Sequence, residues 1–412
     1  MKMNGEKKNT GILPTLTAAV LVVVFIFTVA LFTLRENGLH SIRTLLSSDS
    51  AEQFTSGAEK LYSDGLAFKN SFIRLWALSQ RIGGSRILED AEYGYLIRDS
   101  ENKLHFHAER TPDERLEECA ESTAAFARKC AEEGIPFLYI QAPNKNLRGH
   151  TVFPAGAVNA SGEDADIFLS LLDRKGTAYL DLREYFDALP DPRKSELFYA
   201  TDHHWTTGAA FDGFAQTVGE LDRRFGLALD PDGFFRDAGN YKSTVYEDCF
   251  IGSLGRRVTD MLCTPDDYTF IEPDFETDYT VYDLLAGDGA GPTVPFREGN
   301  FREALVAEDL LTDPDPETNR HAAYFRWDYG DLVIRNNRCE NSLRILLIKD
   351  SFALPFAAFL SSCVSELHMI DLRDENAPVP EEYVRRYDFD AVMVLYNTEI
   401  FFSPMFDLCT AE

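Results

Sequence analysis

The sequence predicts an α/β fold built on a mostly parallel sheet, and three observations carry that prediction. Short apolar runs suited to buried strands, such as Pro136–Ile140 and Arg344–Lys349, alternate with amphipathic helical segments. Helix start and stop residues punctuate those segments at the expected places. The most reactive side chains fall in loops next to these elements, and in such sheets ligands bind at the carboxyl ends of the strands.

At 412 residues with 45% hydrophobic side chains, the chain can bury a large core as one large domain or two, which sets aside a disordered or fibrous protein. From Gly11 to Leu34 it carries no charge and is dominated by Ala, Val, Leu and Phe. That run exceeds the roughly 20 residues needed to cross a bilayer. Lys2, Lys7 and Lys8 precede it and Arg35 and Glu36 follow it, which predicts a cytoplasmic N-terminus with the bulk of the chain outside the cell membrane. A cleaved signal peptide is the rival reading, but the run is longer than the roughly 7–15 residues of a signal core, and no A-x-A site follows. The expected organisation is a tail and single-pass anchor at 1–35, a juxtamembrane entry segment at 36–110 and a main domain at 111–412.

Taken in order, a helical stretch near Ala58–Gln80 precedes a short strand at Tyr93–Ile97. Thr111-Pro112-Asp113-Glu114 opens an amphipathic helix, with a Thr that can cap and a Pro at the first helical position, and Gly134 ends it. The buried strand Pro136–Ile140 follows, then a helix at Ala165–Asp173 and a strand at Thr177–Leu182. Later strands are expected at Arg344–Lys349, Glu366–Leu372 and Asp390–Tyr396. Between about 226 and 340 the pattern degrades into Asp, Pro, Gly and aromatic residues, which reads as a long insertion that covers the site or binds substrate. There is no internal repeat and no glycine-rich phosphate loop.

A formal net charge of −28 argues against nucleic acid and anionic lipid headgroups as partners, whereas a neutral or polyol substrate is not repelled. The seven cysteines show no CxxC or finger-like spacing that would indicate a metal. Cys119 and Cys130 are too far apart along one helix to bond each other.

Two constellations could carry chemistry. The first is Asp202-His203-His204-Trp205, followed by Thr206-Thr207 and an apolar-periodic helix through Leu221. An Asp two residues from a His at a helix entrance can fix the imidazole tautomer, as a general base requires. The plainer alternatives are that Asp202 caps the helix and the histidines are surface or packing residues, with Trp205 a core plug. Asp-His-His also occurs in manganese phosphoesterases, but the further strand-end aspartates that those enzymes need are not evident. The second constellation is Ile348-Lys349-Asp350-Ser351-Phe352, where a buried strand ends just before a helix. Ser351 then sits at the carboxyl edge of the sheet, where helix N-terminal amides can stabilise an oxyanion. An N-cap serine makes the same sequence.

These residues resemble the DHHW proteins, which are similar to the alginate O-acetyltransferase group of SGNH-hydrolase-like proteins. The likeness extends to a single N-terminal span, Pro143-x-Lys145, Gly252-Ser253-Leu254, Asp371-Leu372-Arg373 and Tyr396-Asn397. It implies an SGNH-hydrolase-like, flavodoxin-like parallel sheet with flanking helices for 111–412, with the motif order permuted relative to ordinary SGNH esterases. It further implies that Asp202 orients His204, that His204 is the base and that Ser351 is acylated, with no cofactor and no metal. His203 is the variable position. Lys145, Asn397, Arg373 and Trp205 become candidate oxyanion or substrate contacts, although Lys145 also reads as a solvated charge, Asn397 as a turn residue and Arg373 as a salt-bridge partner of Asp371 or Asp374. Lys349 stands where the SGNH block has glycine. The implied function is O-acyl transfer, of acetyl, to a cell-surface or extracellular polysaccharide, with a multi-pass acyl-exporting membrane protein as donor partner. An esterase using the same triad and a non-catalytic polysaccharide-binding or assembly protein are the alternatives.

Overall fold

The computed structural model describes residues 20–27, 69–90, 92–258, 262–286, 295–401 and 404–410. The chain forms two compact units, Met1–Ile82 and Gly83–Glu412. In the first, residues 20–27 are helical and the helix Lys69–Gly83 begins. No helix among the described residues is long and apolar enough to cross a membrane. The span expected over Gly11–Leu34 lies outside the described residues except for 20–27, as does the Ala58–Phe68 part of the expected helix.

The second unit contains strands β1 (Ile87–Asp90), β2 (Gly94–Arg98), β3 (Leu104–Phe106), β4 (Phe137–Gln141), β5 (Tyr179–Asp181), β6 (Tyr241–Phe250) and β7 (Asp266–Pro273). It continues with β8 (Tyr279–Asp283), β9 (Arg297–Gly299), β10 (Asp331–Asn336), β11 (Arg344–Lys349), β12 (Glu366–Ile370) and β13 (Ala391–Tyr396). Eight of these form the central sheet in the order β5-β4-β13-β11-β12-β10-β8-β9. The first five run parallel, and β10, β8 and β9 add on in antiparallel fashion. The sheet is therefore mixed, with parallel pairings in the majority. All three antiparallel strands come from the 226–340 segment, so that segment completes the sheet instead of merely lying over it.

Strands β4, β11, β12 and β13 are buried on both faces, while the edge strand β5 is half-buried. In β11, Ile345 and Leu347 join the core on one side of the sheet while Leu346 and Ile348 join the core on the other. Helices α1 (Asp113–Glu132) and α2 (Ser161–Arg174) cover one side through Leu116, Phe126, Phe168 and Leu172. Helices α3 (Thr207–Phe225) and α4 (Ala353–Leu360) cover the opposite side through Phe211, Phe214, Phe356 and Phe359. Counted from β11 in chain order and continuing past β13 to β4, the five parallel strands lie in the order 2-1-3-4-5. That is the flavodoxin-like arrangement, and its switch point, where such folds bind ligands, falls between β11 and β13.

Local sequence sets the helix ends that matter for the site. Thr206 is the N-cap of α3, its side chain accepting from the Ala209 amide at 3.3 Å, and Gly226 closes the helix with a left-handed φ of 68°. At α1 the cap position is Pro112 with no side-chain cap, and the Thr111 amide instead donates to Asp164 at 2.8 Å.

Candidate active site

β11 delivers Asp350 and Ser351 to the carboxyl edge of the sheet. The N-cap position of α4 is Phe352, and no side chain caps it. The Ser351 hydroxyl is therefore not a helix cap, and its Oγ lies 2.8 Å from His204 Nε2. Asp350 turns inward, accepting from the amide of Phe352 at 2.9 Å and from the amide and side chain of Asn397 at 2.7 Å each. Burial, opposed by the Asn397 amide, pushes the Asp350 carboxyl up to about 6.

The loop before α3 is held from beneath. Lys145 Nζ donates to the carbonyls of Ala200 at 3.1 Å and Asp202 at 2.8 Å. The Asp266 carboxylate accepts from the amides of Ala200 and Thr201 at 2.7 and 2.8 Å. Trp205, fully buried, ties this loop to the serine turn, its Nε1–H donating to the Phe352 carbonyl at 2.9 Å. A side chain at Gly213 would meet the Trp205 ring at 2.9 Å, which accounts for a glycine inside α3.

These two loops put Asp202, His204 and Ser351 in one hydrogen-bonded line. Asp202 Oδ1 accepts from His204 Nδ1–H at 2.6 Å and from the His204 amide at 2.9 Å. Its Oδ2 accepts from the Ser253 amide at 2.7 Å. An ionised carboxylate can only accept, so the His204 proton sits on Nδ1 and Nε2 is free to accept from the Ser351 hydroxyl. Burial works against the Asp202 charge, yet the facing His204 and His203 and the hydrogen bond from His204 hold its carboxyl well below the usual range. Burial first, and then the neighbouring His203 and His321, push the His204 imidazole well below its ordinary value. His204 is neutral at rest.

His321 was not anticipated from the sequence. Its ring stacks on His204 with centroids 3.6 Å apart and planes 10° from parallel, and its Nε2–H donates to the Ser351 carbonyl at 2.8 Å. It lies in the stretch without periodicity, where its only sequence mark was being one of eight histidines. Gly252-Ser253 also proves part of the site, since any Cβ at Gly252 would overlap the Asp202 carboxylate.

The other candidate residues divide between two hollows. Arg373 shares a cleft of about 470 Å³ with Ser351, His204, His321 and Trp327. Its guanidinium pairs with Asp371, Nε to Oδ1 at 2.8 Å, and with Asp328 at 3.1 Å. Lys349, with no exposed surface, sits on the same two carboxylates, pairing with Asp328 and with Asp371 at 2.8 Å. That pairing accounts for a buried lysine at the glycine position of the SGNH block. Lys145, Asn397 and His203 line a separate hollow of about 10 Å³, enough for one water. The Lys145 ammonium and the Asn397 amide are committed to backbone carbonyls and to Asp350, and burial pushes Lys145 down to about 7. Trp205 is covered from solvent.

Asp202, His203 and His204 each offer a metal-ligating atom within 4.8 Å of the others, and among the described residues no fourth such group joins them. His204 Nδ1 is committed to Asp202 at 2.6 Å, and His203 Nδ1 shares a 2.7 Å hydrogen bond with Ser253 Oγ.

The molecule is thus a flavodoxin-like α/β protein with a Ser-His-Asp relay at its switch point. Several solved structures share this architecture. PatB1 of Bacillus cereus, solved with a sulfonyl adduct, matches with a TM-score of 0.60 at 18% identity over 76% of this chain and 96% of its own. A DHHW family protein from Eubacterium siraeum matches with a TM-score of 0.58 at 12% identity over 78% of this chain and 98% of its own. The O-acetyltransferase domain of Pseudomonas putida AlgJ matches with a TM-score of 0.46 at 11% identity, covering 74% and 91%. At these identities the likeness to PatB1 and to the DHHW family protein is one of fold. No family profile matches the chain. No curated protein sequence matches it either.

Proposed function

We propose that this protein is a serine O-acyltransferase that moves an acyl group, acetyl, onto hydroxyls of a cell-surface or extracellular polysaccharide. The observation that carries this reading is the continuous relay from Asp202 through His204 to Ser351, closed at 2.6 and 2.8 Å between residues 147 positions apart. In the first half-reaction His204 Nε2 takes the Ser351 proton as Oγ attacks the acyl carbonyl. The protonated imidazole then returns that proton to the departing alkoxide, leaving the acyl ester on Ser351. In the second half-reaction His204 removes a proton from a sugar hydroxyl, which attacks the ester carbonyl. The Ser351 oxygen leaves and regains a proton from His204. Asp202 carries the opposing charge while the imidazole is protonated. The Ser351 amide donates to no partner among the described residues and lies at the start of α4, so it is the chain's own candidate for the oxyanion.

The resemblance to the DHHW proteins supports acyl transfer over other uses of the relay, and the sulfonyl adduct captured on PatB1 suggests the probe class to apply here. The single-pass anchor over Gly11–Leu34, the extracytoplasmic placement and a membrane acyl donor belong to the same proposal. The test is partition of a preformed acyl-enzyme. The full chain in detergent is loaded with p-nitrophenyl acetate and challenged with neutral oligosaccharides, and the acetylated sugar is measured by mass spectrometry. Faster discharge to sugar than to water is the expected result. Discharge to water alone replaces the transferase with an esterase, and the absence of any acyl-enzyme removes the proposal.

A further inference from the structure

Immediately beside the cleft that holds Ser351 stands Trp327, 70% exposed and among the residues that line it. A single exposed aromatic is ordinary on a protein surface, but the backbone that presents this one is not. The two residues before it, Phe325 and Arg326, are both left-handed, with φ of 68° and 77°, a conformation that non-glycine residues adopt at a cost and rarely in succession. The turn is clamped: the Phe325 amide donates to Leu305 O at 2.7 Å, the Arg326 amide donates to Ala322 O at 2.9 Å, and the Phe325 ring is buried in the core. The same short segment carries His321, which holds the Ser351 carbonyl. A strained, well-anchored turn therefore spans the distance between the nucleophile and an indole that takes no hydrogen-bond partner among the described residues.

We propose that Trp327 is the stacking platform for the acceptor, and that the acceptor it takes is a neutral pyranose. The inference deepens the acyl-transfer reading and rests on it for the role of the bound sugar. The apolar C–H face of a pyranose packs against the electron-rich face of an indole, while the ring's hydroxyls point outward to polar groups. Asn319 and Asp374, which line the same cleft, supply such groups. Charge decides between a neutral sugar and a uronate. The cations around the cleft are already paired, Arg373 with Asp371 and Asp328, Lys349 with the same two, and Arg326 with Asp309. Among the described residues that line the cleft no unpaired cation remains to meet a uronate carboxylate, and a net charge of −28 repels one.

The chain has three tryptophans, and of the other two Trp205 is buried and Trp76 half-buried, so Trp327 is the natural fluorescent reporter. The full chain in detergent is titrated with cellohexaose and with oligogalacturonate, following both heat and tryptophan emission. Wild type is expected to bind the neutral sugar more tightly, with a change in emission. Trp327→Phe keeps binding within about threefold but loses the emission change, and Trp327→Ala weakens binding by about tenfold, equivalent to about 1.4 kcal/mol. A Trp327→Ala protein that melts as wild type does and binds cellohexaose equally well overturns the inference, as does preference for oligogalacturonate. Acylation of Ser351 without sugar binding by wild type removes the platform and leaves the acyltransfer reading. Sugar-dependent emission from a protein whose serine never acylates keeps the platform and removes the acyltransfer reading.

Discussion

Gly252→Ala tests how the acid of the relay is held. Gly252 has no side chain, and the Asp202 carboxylate occupies the space one would fill. A Cβ there would lie 2.6 Å from Asp202 Cγ and closer still to two other Asp202 atoms, against an ordinary contact of 3.4–4 Å. The neighbouring atoms are Asp202 Cβ and its buried, hydrogen-bonded carboxylate, which cannot swing aside as the end of a flexible chain would. The carboxylate must retreat by about 0.8 Å or more, which stretches its 2.6 Å bond to His204 and its 2.7 Å bond from the Ser253 amide beyond the range of charge-assisted hydrogen bonds. Overpacking costs about 1–3 kcal/mol. A weakened hydrogen bond to a charged group adds about 1.5–3 kcal/mol. Misplacement on the scale of an ångström lowers the rate by about 100-fold. The acylation rate, read as the p-nitrophenol burst in stopped flow, is expected to fall by about 100-fold or more in a protein that is less stable but still cooperative in thermal unfolding. Acylation within about threefold of wild type would refute the claim that Gly252 makes room for a positioned acid.

Three further outcomes follow from the same geometry. Because the His204 pKa lies below its ordinary 6.5 and the reaction uses the neutral ring, the acylation rate stays level as pH falls to 6.5 and declines only below it, and a profile half-lost at about pH 7 or higher contradicts this. Lys145→Met leaves the Asp202 carbonyl without its donor, while Ala200 O keeps the Leu104 amide, so chemical denaturation should show a loss of about 1–3 kcal/mol. Trp205→Phe removes the one N–H that ties the histidine loop to the Phe352 carbonyl; it should lower stability by about 1–3 kcal/mol and slow acylation, and an unchanged burst rate would show that the tie is dispensable.

The parallel half of the fold was legible because its strands announce themselves. Ile345–Ile348 and Ala391–Tyr396 are continuous apolar runs, as strands buried on both faces must be, and Gly134 marks a helix end. The antiparallel half was not. Tyr279–Asp283 and Arg297–Gly299 are five and three residues long, too short to show a period, and they sit among Asp, Pro and Gly that dominate any local reading. Strands β1–β3 belong to the Gly83–Glu412 unit, and the Leu104 amide donates to Ala200 O at 2.9 Å, beside the histidine loop.

For the site, the sequence put Asp202, His204 and Ser351 on loops beside helices, and the resemblance to the DHHW proteins joined them into one relay. The sequence could not assign the supporting groups, because each is defined by what it touches. Lys145 reads in sequence as a lone surface charge, yet it is 8% exposed and serves two backbone carbonyls of the histidine loop. Trp327 depends on a left-handed turn that no sequence pattern encodes, since Phe and Arg are not residues that favour it.

The measurement that bears most directly on the relay is intact-mass analysis with peptide mapping after exposure of the full chain to phenylmethylsulfonyl fluoride and, separately, to p-nitrophenyl acetate. The relay predicts a single adduct on Ser351 in wild type, none in Ser351→Ala, and labelling slowed by about 100-fold or more in His204→Ala. Equal labelling in His204→Ala, or an adduct at any other residue in wild type, would contradict the assignment of His204 as the base and Ser351 as the nucleophile.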